Sequence, residues 1–96
     1  MLHTVNKSPY NPAALAECLR VCDAQARLLL IEDGVYAALA SGEWIARLGG
    51  LAGVYALAPD VAARGLDGRI DAAVQLIDYA GFVQLCCDHH PIQSWF

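Results

Sequence analysis

The chain has 96 residues, 57% apolar and 17% charged, with ten acids against six bases for a net charge of −4. That length accommodates one domain, residues 1–96, and so much apolar side chain with so little charge excludes a disordered segment. The bases are scattered singly, which argues against direct nucleic-acid binding, and the longest uncharged stretch, Leu48 to Pro59, falls well short of the ~20 residues of a membrane span.

Taken in chain order, Met1 to Val5 is a short run with β-branched residues halted by Asn6-Lys7-Ser8-Pro9, and it predicts a first strand. Between Asn11 and Ala24, Leu15, Cys18, Leu19 and Cys22 recur at i, i+3, i+4, i+7. This is one face of an amphipathic helix, opened by Asn11 as cap and Pro12 at its first position. Leu28-Leu29-Leu30-Ile31 is continuously apolar and suits a strand covered on both faces. Asp33-Gly34 ends it, and a second helix is expected from Val35 to Leu39, followed after Gly42 by a turn holding Trp44, Ile45 and Leu48.

Gly53 to Leu57 is the third predicted strand, stopped by Pro59. Asp60 is expected to cap a short helix over Val61 to Arg64, closed by Gly65. Val74 to Ile77 is the fourth strand. Asp78 caps a helix with Phe82, Leu85 and Cys86 at helical spacing, and Pro91 ends it before an edge strand from Ile92 to Phe96. Strands alternating with short helices give an α/β class: a single small layered domain on a mostly parallel sheet of about five strands. Its apolar excess points to burial against partner subunits, with Trp44, Trp95 and Phe96 as candidate contacts.

The four cysteines, Cys18, Cys22, Cys86 and Cys87, show no C-x-x-C, so no metal is expected. Cys18 and Cys22 read from spacing as small buried hydrophobes on one helix face, where i, i+4 geometry seldom suits a disulfide. Cys86-Cys87-Asp88-His89-His90 reads as a solvent-facing helix end, since adjacent residues project in different directions. His3 in a central strand reads as a buried, hydrogen-bonded histidine. Asp33-Gly34 stands at a strand's carboxyl end, where open α/β sheets place ligands, but it is also a good turn. No G-x-G-x-x-G or P-loop accompanies it, and no cofactor is expected. No secretory leader is visible, which gives a cytoplasmic expectation.

Several segments together resemble the DsrH/TusB family of sulfur-relay proteins: the opening Met1 to Pro9, Leu28 to Val35, Val54-Tyr55-Ala56-Leu57 with Ala63-Arg64-Gly65-Leu66, Leu76-Ile77-Asp78-Tyr79 with Phe82-Val83, and Gln93-Ser94-Trp95. They stand in order over essentially the whole chain. The resemblance implies a compact flavodoxin-like (DsrE-like) three-layer α/β fold with the first three strands near the sheet centre. It further implies a heterohexamer with DsrE/TusD-like and DsrF/TusC-like subunits, carrying sulfane sulfur as a cysteine persulfide from a TusA-like donor to a DsrC/TusE-like acceptor. The principal active cysteine of such a complex belongs to the DsrE/TusD-like chain, so this one is a sulfurtransferase component at most. Cys18 falls where DsrH-branch members carry a cysteine, which makes it the candidate catalytic residue, a persulfide carrier. Cys18 and Val5-Asn6-Lys7 resemble the branch acting in dissimilatory sulfur oxidation. The alternative is a TusB-like structural and docking subunit of the relay for 2-thiolation of the tRNA wobble uridine.

Overall fold

A computed structural model describes residues 1–11 and 13–96. Five strands, β1 (Leu2–Val5), β2 (Arg27–Leu30), β3 (Gly53–Leu57), β4 (Gln75–Ile77) and β5 (Ile92–Trp95), form one sheet in the order β4-β3-β2-β1-β5. Every pairing is parallel. The helices are α1 (Ala13–Val21), α2 (Trp44–Leu48), α3 (Ala58–Ala63) and α4 (Tyr79–Asp88), with a 3-10 helix over Glu32–Ala38. No described helix is long and apolar enough to cross a membrane.

The layering follows from the handedness of parallel crossovers. From β1 to β4 the chain steps across the sheet in one direction, so the connections carrying α1, the 3-10 helix, α2 and α3 share one face. The return from β4 to β5 runs the other way and lays α4 on the opposite face. Register assigns the side chains accordingly: His3 pairs with Leu28, Val5 with Leu30, Leu28 with Val54 and Leu30 with Ala56, all on the α1 side. There Val5, Leu28, Leu30 and Ala56 meet Leu15, Cys18, Val35, Leu48 and Val61 in the larger core. On the other face Leu2, Leu29 and Tyr55 pack with Leu85 of α4. With both faces covered, Leu28, Leu29 and Leu30 are all fully buried, which explains why their segment is apolar without alternation.

Four expectations need correction. The segment after β2 is a 3-10 helix starting at Glu32, not a helix from Val35; it follows β2 directly, with Glu32 at a positive φ of 50°. Trp44 to Leu48 forms a helical turn rather than an irregular one, because Trp44 and Leu48, one turn apart, both reach the core. The helix expected over Val61 to Arg64 runs instead from Ala58 to Ala63, with Pro59 in its first turn, where a missing N–H costs nothing. Asp60 therefore lies inside it and caps a neighbour: its carboxylate accepts the Glu32 backbone N–H at 2.7 Å. Asp78 does cap α4, accepting the Gly81 N–H at 2.8 Å. Pro12 lies outside the described residues.

Candidate functional site

Under α1 the fold assembles a cluster that the sequence reading treats as separate residues. Cys18 stands in the second turn of α1 and is fully buried. Cys22, half-buried, follows the last helical residue and closes the turn by donating its N–H to the Cys18 carbonyl at 3.2 Å. The i, i+4 spacing sets the two sulfurs one above the other, 3.8 Å apart, with either thiol able to donate. From below, β1 presents His3 on the same side of the sheet as Val5 and Leu28. The Sγ atoms of Cys18 and Cys22 and a ring nitrogen of His3 lie within 4.8 Å of one another. Among the described residues this is the one convergence of three His, Cys, Asp or Glu ligating atoms.

The edge strand fixes the histidine. Trp95 of β5 donates its indole N–H to His3 Nδ1 at 3.1 Å, so the neutral ring is assigned its proton on Nε2. Burial lowers the His3 pKa from its ordinary 6.5; the nearby N-terminal ammonium adds to this and Asp23 opposes it. Burial likewise pushes the Cys18 thiol far up, and the neighbouring Cys22 reinforces the effect. Cys22 is raised by burial too, eased by the sulfur contact with Cys18 and opposed in that by Asp23. The resting state is thus two thiols and a neutral imidazole. Beside it a surface hollow of about 430 Å³, lined by Leu19, Cys22, Asp23 and Arg47 among others, reaches Cys22.

The depressed His3 pKa has a measurable consequence. Below about 6.5 the unfolded chain takes up a proton that the folded chain refuses, so stability falls as pH drops from 6.5 towards the folded value. In chelator-treated protein, the loss of unfolding free energy between neutral and mildly acidic pH is expected to be smaller in His3→Gln than in the parent. An unchanged loss would show that the histidine is free to protonate in the fold.

The remaining candidates do not converge on a site. Asp33, at the carboxyl end of β2, binds Arg64 Nε at 2.9 Å, and Asp60 stands 3.9 Å from the same guanidinium, so these charges satisfy one another. Cys86 is half-buried against the sheet while Cys87 faces solvent, as expected of neighbours on a helix. Arg20, two positions from both Cys18 and Cys22 in sequence, points outward to Glu17 at 3.5 Å. Trp44 belongs to the core, with the Arg47 guanidinium 4.4 Å over its ring, and Trp95 packs partly buried against His3; of the three proposed contact residues only Phe96 is open, at 82%.

A family profile described as DsrH like protein matches residues 7–92. The chain belongs to the DsrH/TusB family. Among the relatives of this DsrH/TusB chain, Protein TusB of Pectobacterium parmentieri is 46% identical over 96 residues, covering 99% of this chain and 100% of the relative. Protein TusB of Escherichia coli (strain K12) is 40% identical over the same coverage. The crystal structure of the ychN protein from E. coli has the same fold at a TM-score of 0.82, with 18% identity and 97% of each chain covered.

Proposed function

We propose that this chain is the DsrH/TusB-like subunit of a cytoplasmic sulfur relay, assembled with DsrE/TusD-like and DsrF/TusC-like chains, and that the relay serves 2-thiolation of the tRNA wobble uridine. The observation that carries this reading is full-length identity of 40–46% to proteins named TusB. It outweighs the sulfur-oxidation destination, whose support is the wording of the first strand and the presence of Cys18. Assembly is supported by apolar surface on the α4 side. Tyr79 is 62% and Val83 61% exposed, one turn apart, with exposed Cys87 one turn beyond and half-exposed Ile92 on the same side of the sheet. The role proposed is structural: completing the complex and docking its TusA-like donor or DsrC/TusE-like acceptor, the main persulfide being carried by the DsrE/TusD-like partner.

A carrier role for Cys18 is the second reading, favoured by Cys22 and His3 standing beside its sulfur. In that chemistry the Cys18 thiolate attacks the terminal sulfur of a donor persulfide. The donor S–S bond breaks, the donor leaves as a thiolate, and Cys18 holds the persulfide. Its burial weighs against this, because the thiol must be both uncovered and deprotonated.

Co-expression with the DsrE/TusD-like and DsrF/TusC-like chains is expected to yield a stable complex. Deletion of the chain is expected to abolish 2-thiouridine in tRNA, and Cys18→Ser to restore it fully. Loss of thiolation in Cys18→Ser, with one sulfur atom's mass gained at Cys18 in the parent complex, would establish the carrier role instead. Unaltered tRNA with impaired sulfur oxidation would overturn the tRNA assignment.

A further inference from the structure

We propose that His3, Cys18 and Cys22 form a binding site for one thiophilic divalent cation of the zinc class. The inference stands apart from the relay reading, since it rests on the geometry of three side chains. Its first support is a length. Two thiolates at the usual ~2.3 Å from a tetrahedral zinc ion are ~3.8 Å apart. The Cys18 and Cys22 sulfurs are 3.8 Å apart, whereas a disulfide requires ~2.05 Å. The pair is already spaced as one edge of a metal tetrahedron.

The second support is charge. Two thiolates and a neutral imidazole around a divalent cation sum to zero, the arrangement that an apolar interior tolerates; a monovalent cation would leave a buried negative charge. Burial holds His3 neutral, the form that ligates. The raised thiols are no obstacle in kind, because a thiophilic cation displaces the thiol proton directly: each S–H bond is exchanged for an S–metal bond, and two protons leave per ion bound. The hollow beside Cys22 gives an incoming ion a path to that sulfur, and three protein ligands leave one of the four tetrahedral positions for water.

The sequence expectation of no metal rested on the missing C-x-x-C loop. A helix does the same work with i, i+4 spacing, as in the paired histidines of helical zinc sites, and here the third ligand arrives from a strand fifteen positions earlier than Cys18. Trp95 then becomes a built-in reporter. Its N–H is held by His3 Nδ1, and Nε2 carries the proton, so ligation through either nitrogen takes that hydrogen bond away.

The test uses the full chain, reduced, chelator-stripped and anaerobic, in a Cys86→Ser/Cys87→Ser background that removes the other cysteines. Titration with Co(II) and then Zn(II) is expected to show one ion per chain by native mass spectrometry, a thiolate-to-Co(II) charge-transfer band and two protons released per ion. Trp95 emission is expected to change, and Cys18 and Cys22 to become protected from alkylation. Cys18→Ser and Cys22→Ser are each expected to weaken binding by about 100-fold or more, and His3→Gln by about 10-fold or more. Failure of the Cys86→Ser/Cys87→Ser chain to retain the ion overturns the site, as does equal binding by Cys18→Ser/Cys22→Ser. Proton release and stoichiometry are read on chains with His3 intact, so they decide the matter even if His3→Gln does not fold.

Discussion

Gly34→Ala is expected to lower the stability of the fold by about 3 kcal/mol, read as a shift of the urea midpoint at constant slope. A Cβ at Gly34 would collide with the Val5 carbonyl oxygen and stand 3.1 Å from its carbon, both backbone atoms of an inner strand. That oxygen is held in place, since it accepts the Ile31 N–H at 3.0 Å. Relief therefore has to come from the 3-10 helix, which would draw Val35, Ala37 and Ala38 out of the larger core. Gly34 has an ordinary negative φ, so the cost is one of contact and not of conformation. For a chain of this length, with about 5–14 kcal/mol in total, such a loss is a large fraction. Gly50→Ala is the control: its Cβ would meet nothing within 4 Å, and a change within about 0.5 kcal/mol is expected. A comparably small change at Gly34 would mean that the 3-10 helix can move away from β1 at little cost.

This contact marks the line between what could be read from the residues and what could not. Asp33-Gly34 is visible in the sequence as a turn, but the approach of residue 34 to residue 5 depends on β1 and β2 being neighbours, which no local pattern states. The inner strands β1, β2 and β3 were legible because parallel strands covered on both faces are short, largely apolar and closed by polar residues, Pro, Asp or Gly, as at Leu57-Ala58-Pro59. Helix starts were less so. Asp60 and Asp78 offer the same capping chemistry, yet only Asp78 caps its own helix, while Asp60 is drawn to the Glu32 N–H, a partner 28 positions away. The cysteine-histidine cluster was half legible. The Cys18/Cys22 pairing follows from helical spacing, and the parity of β1 puts His3 on the same face as Val5. What was missing was the step that joins them: a right-handed crossover from β1 to β2 lays α1 over that face. Trp95 could not have been placed without the pairing of β5 with β1, which brings residues 92 positions apart into a hydrogen bond.

In the reduced, metal-free chain at mildly alkaline pH, Cys18 is expected to react with iodoacetamide at least about 100-fold more slowly than Cys87, and in urea at a comparable rate. Burial is the cause. Cys18 exposes no surface while Cys87 faces solvent, so reagent reaches Cys18 only through local opening of α1. While α1 stays closed, the same burial holds the thiol protonated, so the closed state offers no reactive thiolate. Site-resolved mass spectrometry over a time course measures both cysteines in one sample. Equal rates in the native chain would show that α1 opens readily or that the thiol is not buried. The same measurement on the assembled complex then separates the two roles proposed for this residue. Persulfide transfer needs an accessible thiolate, so a carrier must gain reactivity at Cys18 when its partners bind, whereas a structural subunit, whose α1 packs undisturbed on β1, must keep Cys18 at least as protected as it is alone.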